Sequence, residues 1–192
     1  MNKQEVKADP KKWIELYGDL LYQYTLPRVN DYLIAEDLVQ ETFLSALKGL
    51  KEFKGEASEK NWLFSILKNK IIDYYRKKSR EPSRIEFSEL YKGEDEWFNS
   101  EGNWEENKIP KNWQADENPF ERKEMQKIII WCKDHLRNVQ QQVFTLKYME
   151  ELDSDEVCKV LNISSSNYWV LMHRARLKMR DCVEKYWLKT DT

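Results

Sequence analysis

The chain has 192 residues, of which 41% are apolar, 34% charged and 13% aromatic; this indicates a globular protein and excludes a disordered or collagen-like chain. The net charge is -2, the longest apolar run, Ile128 to Cys132, is too short to cross a bilayer, and no secretory signal is present. We therefore expect a cytoplasmic protein without membrane insertion, large enough for one ordinary domain or two small ones.

The charges divide the chain into three parts. Residues 81–121 carry 12 acidic and 4 basic side chains, hence a net charge of -8, whereas 1–80 carry 12 and 15 and 122–192 carry 10 and 13. The middle part lacks helical or alternating periodicity and contains Pro82 and Pro110. We expect an all-α fold in which two small helical domains, 1–80 and 122–192, are joined by an acidic linker, 81–121.

Two helices are predicted before residue 51. Asp9 and Pro10 are typical of a helix start, and helical spacing of apolar residues continues until Pro27. A second helix starts after Asn30 and Asp31. The residues predicted to face inward are Leu38, Val39, Thr42, Phe43, Ala46, Leu47 and Leu50. The opposite stripe, at i, i+3, i+4 and i+7, consists of Asp37, Gln40, Glu41 and Leu44.

A third helix is predicted from Asn61 to Lys78. Its C-terminal half is basic and contains Lys68, Lys70, Arg76 and Lys77. Such cations complement the helix dipole, so one interpretation is a solvated, well-capped helix end. Trp62, Tyr74 and Tyr75 favour another, in which aromatic rings stack on unpaired bases while the cations hold phosphates.

The second domain contains a predicted helix-turn-helix. Asn118 and Pro119 start one helix, and another is predicted from Val139 to Met149. A capping box, a left-handed turn, a core position and a second cap then follow in the order expected for the motif: Asp153 with Glu156, Asn162, Ile163 and Ser164.

The long helix after Ser164 is predicted to bury Tyr168, Met172, Ala175, Met179 and Val183. In a helix-turn-helix, the N-terminal part of this helix enters the major groove, so residues 165–170 would touch base edges while later cations meet phosphates. The candidate DNA-binding residues are Ser165, Ser166, Asn167, Trp169, His173, Arg174 and Arg176. The alternative is a helical hairpin with a charged, solvated end.

The residues with catalytic or metal-binding chemistry are few. Cys132, Cys158 and Cys182 are widely spaced, which favours reduced thiols over a disulfide framework. Cys132 and His135 are too few for a closed zinc site. With two His, no Gly-rich phosphate loop and no nucleophile elbow, we expect no enzyme activity, no metal and no cofactor.

Three stretches carry a family resemblance. Residues 35–43 read AEDLVQETF, Trp62 to Arg76 form the basic and aromatic helix, and Val143 to Arg176 contain the helix-turn-helix. In this order and at this separation, they resemble regions 2 and 4 of bacterial RNA polymerase sigma factors of the extracytoplasmic-function (ECF) type, in the sigma-70 superfamily.

The resemblance implies a transcription initiation factor. Region 2 of such factors binds core RNA polymerase and captures flipped, non-template bases at the -10 promoter element, and region 4 reads the -35 element as a duplex. The implied polymerase-binding residues are Asp37, Gln40, Glu41 and Leu44. The implied single-strand contacts are Trp62, Asn69, Lys70, Tyr75, Arg76 and Lys77. Residues 51–62 would form the loop around a flipped base, and Asp73 is also interpreted as an ion-pair partner of Arg76 or Lys77.

The implied partners are core RNA polymerase, promoter DNA and an inhibitory anti-sigma factor. The acidic linker replaces the third domain of larger sigma factors; our hypothesis is that it threads the cationic template and RNA-exit path of the polymerase, and the alternative is a solvated spacer. Trp169 and Leu171 stand where the family has basic residues, which indicates contact with DNA or with a protein.

A second class of protein fits part of the pattern. A helix-turn-helix regulator without sigma activity would use the second domain alone. It would leave the stripe from Asp37 to Leu44 and the helix from Trp62 to Arg80 without a purpose, so a sigma factor is the leading hypothesis.

Overall fold

The computed structural model describes residues 9–80 and 119–187, and every regular element in these two segments is a helix. The fold is all-α, as predicted. The α-helices of these segments are α1, Trp13–Val29; α2, Tyr32–Gly49; α3, Glu59–Lys78; α4, Pro119–Asp134; α5, Asn138–Phe144; α6, Ser154–Leu161; and α7, Ser165–Trp187. None of the helices described has both the length and the hydropathy needed to span a membrane. Residues 81–118 of the predicted acidic linker, and its predicted path through the polymerase, lie outside the described residues, and its last three residues begin α4.

The described residues form two compact units. The first contains 9–80 together with Thr145–Ile163, and the second contains 119–144 and 164–187. A stretch from the predicted second domain, including α6, therefore belongs to the first unit, where it contacts α3.

The core of the first unit is built around one row of side chains on α3. Leu63, Leu67 and Ile71 are fully buried, and Tyr75 continues the same i, i+4 row with 3% exposure. The buried side chains of α1 and α2 are Trp13, Leu21, Thr25, Val29, Ala35, Leu38, Val39, Thr42 and Ala46. Asp31 caps α2 by accepting from two backbone N–H groups, and Ser58 caps α3.

Two predictions for α1 and α2 are wrong in detail. Helix α1 continues through Pro27 to Val29 and ends at Asn30, whose φ of 54° is left-handed. Pro27 has no N–H and so removes one i→i−4 hydrogen bond, but the helix continues past it, and the backbone N–H of Asn30 still donates to the Leu26 carbonyl. On α2, Leu47 is 49% exposed instead of facing inward, since it lies at the edge of the buried face.

The helix predicted from Val139 to Met149 is α-helical in its first half and π-helical in its second. α5 ends at Phe144, and Thr145–Met149 forms a π-helical turn in which the Glu150 N–H donates to the Thr145 carbonyl at 3.1 Å. Glu151 follows with a φ of 60°. The change in hydrogen bonding occurs where the chain passes from the second unit to the first, which side-chain periodicity does not reveal.

The capping box and left-handed turn of the predicted helix-turn-helix are present. Asp153 accepts from the Glu156 N–H while the Glu156 carboxylate accepts from the Asp153 N–H, so α6 begins as predicted. It ends at Asn162, whose φ is 53°. Ile163, predicted in the core, is partly buried.

In the second unit, a disulfide bond joins α4 to α7. Cys132 and Cys182 form a disulfide with their Cα atoms 5.8 Å apart, within a core that includes Leu136, Ala175 and Met179. The prediction of three reduced thiols is therefore wrong for this pair. The pairing was not visible in the sequence because helix packing brings together residues 50 positions apart. Cys158, on α6, is a free thiol.

Candidate nucleic-acid interface

The predicted polymerase-binding stripe is a continuous exposed face of α2. Asp37, Gln40, Glu41 and Leu44 are all exposed, and Leu44 leaves 56% of its surface in solvent. Burial of the opposite face of α2 fixes the helix rotation that turns this stripe outward. The result is an acidic and polar surface with one large apolar side chain, which suits contact with another protein better than solvation alone.

The exposed face of α3 is polar and basic. Asn69, Arg76 and Lys77 are exposed, and Lys70 is partly buried. The Arg76 guanidinium donates to the Asp73 carboxylate, so the predicted ion pair on the helix surface is present. This pairing orients Arg76, while Lys77 extends the cationic surface along the last turn of the helix.

One ion pair connects the α2 stripe with the α3 face. The Lys70 ammonium donates to the Glu41 carboxylate at 3.1 Å, with 28% and 53% of the two side chains exposed. Both residues are exposed enough for water to screen the pair, so it contributes little to stability. Its geometric effect is that the two surfaces adjoin.

Tyr75 does not belong to the predicted base-stacking set. Its ring is 3% exposed, and its hydroxyl donates to the Arg28 carbonyl. Burial raises the pKa of this hydroxyl above its usual value. The i, i+4 row that begins at Leu63 and includes Tyr75 was the sequence signal for a core position.

Trp62 lies in an aromatic cluster at the start of α3. Its ring centroid is 4.8 Å from that of Phe53 and 5.9 Å from that of Trp13. Trp13 is anchored in turn, because its indole N–H donates to Glu59 at 2.8 Å. The cluster fixes both ends of the loop between α2 and α3, in which Gly55 has a φ of 69° that other residues rarely adopt. Trp62 remains partly exposed beside this loop.

The N-terminal part of α7 presents a polar face. Ser164 caps the helix by accepting from the Asn167 N–H at 3.2 Å. Of the predicted DNA-binding residues, Ser165, Ser166, Trp169, His173 and Arg176 are exposed, and Asn167 and Arg174 are partly exposed.

The opposite face of α7 is buried. It contains Tyr168, Met172 and Ala175, and also Leu171, which is 1% exposed. The interpretation of Leu171 as a surface contact is therefore wrong, since it is a core residue. Trp169, in contrast, is 55% exposed and contacts the Tyr168 ring edge-on.

A buried polar cluster in the first unit was missed by the sequence analysis. Arg28 of α1 forms an ion pair with Glu150, and the Tyr24 hydroxyl lies 3.3 Å from the same carboxylate. Arg28 and Glu150 are 122 positions apart. No local sequence pattern links Arg28 with Glu150. Arg28 lies between the first two predicted helices, where a charged side chain is ordinarily exposed.

Two family models match the chain: sigma-70 region 2 matches residues 13–81, and sigma-70 region 4 matches residues 128–179. The "Probable RNA polymerase sigma factor" of Haemophilus influenzae is 37% identical over 82% of this chain and 81% of its own. The "ECF RNA polymerase sigma factor SigM" of Bacillus subtilis is 26% identical over 86% of this chain and 90% of its own.

Among solved structures, the sigma factor RpoE of Bartonella quintana, in complex with the anti-sigma factor NepR, has 19% identity and a TM-score of 0.41, covering 91% of this chain and 96% of its own. The matches to both regions confirm the predicted resemblance and do not favour a helix-turn-helix regulator without sigma activity. The chain belongs to the sigma-70 family and is an RNA polymerase sigma factor of the ECF type.

Proposed function

We propose that three surfaces divide the work of promoter recognition. The exposed stripe of α2 binds core RNA polymerase, the basic face of α3 holds the non-template strand of the -10 element, and the N-terminal part of α7 reads the -35 duplex. The protein acts in the bacterial cytoplasm without chemistry of its own, and an anti-sigma factor holds it inactive. Promoter DNA and core polymerase are its productive partners.

The observation that carries this proposal is the exposed stripe of α2. It presents Asp37, Gln40 and Glu41 beside an apolar Leu44 while the rest of the helix packs in the core. A factor that only bound DNA would gain nothing from an acidic surface, because phosphates repel carboxylates. A protein partner with complementary basic residues accounts for it.

The α3 face fits a single strand for a different reason. Arg76 and Lys77 supply cations, Asn69 supplies amide donors and acceptors, and Trp62 supplies an aromatic plane at the opposite end of the helix. Cations along the backbone with an aromatic ring for a base are the recurring components of single-strand sites. The loop that Trp62 and Phe53 flank is the proposed position of a flipped base.

The α7 face fits a duplex. Ser165, Ser166 and Asn167 lie in its first turn, where side chains of a recognition helix reach base edges. His173 and Arg176 lie about two turns further along, where phosphate contacts fix the orientation. We place Trp169 against a sugar or a thymine methyl group.

Run-off transcription tests the proposal through the α2 stripe. With bacterial core polymerase and genomic fragments of the source organism, the wild type should start transcription at specific sites. The double variant Asp37→Lys/Gln40→Ala should be about tenfold less active, because a repulsive charge replaces a contact. A tenfold loss of core binding corresponds to about 1.4 kcal/mol.

A matched control lies on α1. Asp19 and Gln23 are exposed, and Asp19→Lys/Gln23→Ala makes the same chemical changes outside the stripe. It should retain wild-type transcription. Equal activity of the two double variants would contradict polymerase binding by the α2 stripe, and duplex binding without any transcription would favour a regulator.

A second prediction concerns the charge of the α3 face. Lys77→Ala should weaken holoenzyme binding to a labelled non-template -10 oligonucleotide and reduce the slope of log affinity against log salt by about 0.7, since one phosphate contact is lost. Fluorescence anisotropy over a salt series measures the slope. Lys11→Ala, which removes another exposed cation, is the control. An unchanged slope for Lys77→Ala would exclude Lys77 from the interface.

A further inference from the structure

The buried ion pair of the first unit joins the two parts of the chain that match the sigma-70 family models. Arg28 lies in the region 2 match, residues 13–81, and Glu150 lies in the region 4 match, residues 128–179. Only 12% of the Arg28 side chain is exposed, and the Glu150 side chain is fully buried. The Arg28 Nη2 group also donates to the Met149 carbonyl at 3.0 Å, so one guanidinium binds both a side chain and the backbone of the same segment.

Tyrosines complete the cluster. The Arg28 guanidinium lies 3.3 Å from the centroid of the Tyr24 ring, and the Tyr24 hydroxyl donates to Glu150 at 3.3 Å. The Tyr75 hydroxyl donates to the Arg28 carbonyl and fixes the backbone that presents the guanidinium. The Glu150 carboxylate is therefore held by two groups of α1, supported by a third from α3.

A second hydrogen bond links the same two parts. The Ser79 hydroxyl, just after α3, donates to the Val160 carbonyl at the end of α6 at 3.0 Å. It lies 81 positions from its partner and does not involve the Arg28 cluster. The segment Thr145–Ile163 is thus attached to region 2 by contacts near each of its ends.

The backbone that carries Glu150 has an unusual conformation. The π-helical turn Thr145–Met149 precedes it, and Glu151, with a φ of 60°, follows it. Both features cost free energy relative to a regular helix and are over-represented at functional sites. They hold the Glu150 carboxylate toward Arg28.

The chemistry of this contact suits reversible opening. Burial raises the pKa of Glu150 even though Arg28 and Lys68 lower it, so the carboxylate loses more hydration than its partners replace. When the segments separate, both charges return to water and neither is left buried without a partner. Leu146, Val157 and Leu161 of the same segment are buried as well, so the ion pair is the polar part of its attachment within the first unit.

We propose that Arg28 and Glu150 form an intramolecular latch that holds the region 4 segment Thr145–Ile163 on region 2 in the free sigma factor and opens when the factor engages polymerase and promoter. The latch rests on the proposed function, in which region 2 binds the -10 element and region 4 binds the -35 element. These elements are centred about 25 base pairs apart, which is about 85 Å of duplex at 3.4 Å per pair. Residues in direct contact cannot occupy both elements at once.

Charge exchange in the full chain tests the latch. Arg28→Glu and Glu150→Arg should each increase the radius of gyration in small-angle X-ray scattering and raise the association rate with core polymerase at least threefold. The double variant Arg28→Glu/Glu150→Arg should restore both wild-type values, since the ion pair re-forms with reversed polarity. Lys127→Glu, in the exposed Lys127–Glu124 pair, is the control and should change neither.

Glu150→Gln keeps the test decisive if the charge-reversed variants misfold. It keeps the shape of the side chain, so far-UV circular dichroism should show unchanged helix content, while small-angle X-ray scattering should show an intermediate increase in the radius of gyration. Wild-type radii for Glu150→Gln and both single exchanges would overturn the latch, as would expanded variants that bind core polymerase at the wild-type rate. The scattering measurement contains no polymerase, so it is independent of the run-off test.

Discussion

Reduction of the Cys132–Cys182 disulfide should lower the free energy of unfolding of the chain by about 4 kcal/mol. The bond closes a loop with a sequence separation of 50, and the entropy that such a closure removes from the unfolded chain corresponds to about this value. The bond joins α4 to α7, the helix to which we assign the -35 contacts. A reducing cytoplasm would therefore weaken the scaffold of that helix.

Urea unfolding of the oxidised and reduced protein, followed by circular dichroism, measures the difference. Cys132→Ala should unfold near the midpoint of the reduced wild type and should not respond to reductant. Cys158→Ala removes the thiol that is not in the bond and should retain the response to reductant. Identical midpoints for the oxidised and reduced wild type would contradict a stabilising role for the bond.

Leu67→Ala should destabilise the first unit by about 3 kcal/mol. Leu67 is fully buried in the centre of the α3 row, so truncation loses the transfer free energy of the removed isopropyl group and leaves a cavity between helices that relax only in part. The shift in the urea midpoint of the full chain, at constant slope, measures this cost.

Leu44→Ala provides the matched comparison for the same substitution. Leu44 is 56% exposed on α2, so its truncation should change the free energy of unfolding by less than about 0.5 kcal/mol. It should nevertheless weaken core polymerase binding, since we place Leu44 in the α2 stripe. If Leu67→Ala proved as stable as Leu44→Ala, the α3 row would not be the core of the unit.

Short-range interactions made much of the fold predictable. The caps at Asp31 and Asp153 and the left-handed turn at Asn162 depend on a side chain and backbone groups only a few residues away. Amphipathic spacing likewise predicted the outward orientation of the α2 stripe and of the first turns of α7. These caps, the turn and the helix faces are determined by neighbouring residues, and tertiary packing did not change them.

Contacts between distant residues could not be predicted in the same way. Arg28 meets Glu150 across 122 positions and Cys132 meets Cys182 across 50, and neither pair shares a local pattern. The misassignment of Tyr75 has a different origin. By composition, an aromatic residue in a basic helix fits base stacking and core packing equally well, whereas the i, i+4 row from Leu63 to Tyr75 indicates the core.

The disulfide has a practical consequence for spectroscopy. The chain contains three cysteines, and two of them are joined, so under non-reducing conditions Cys158 is the single thiol open to a maleimide dye or spin label. Burial and the nearby Asp155 raise its pKa, which calls for longer labelling at mildly alkaline pH. A probe attached to Cys158 lies on α6, so it can report the separation of α6 from region 2 without any substitution in the protein.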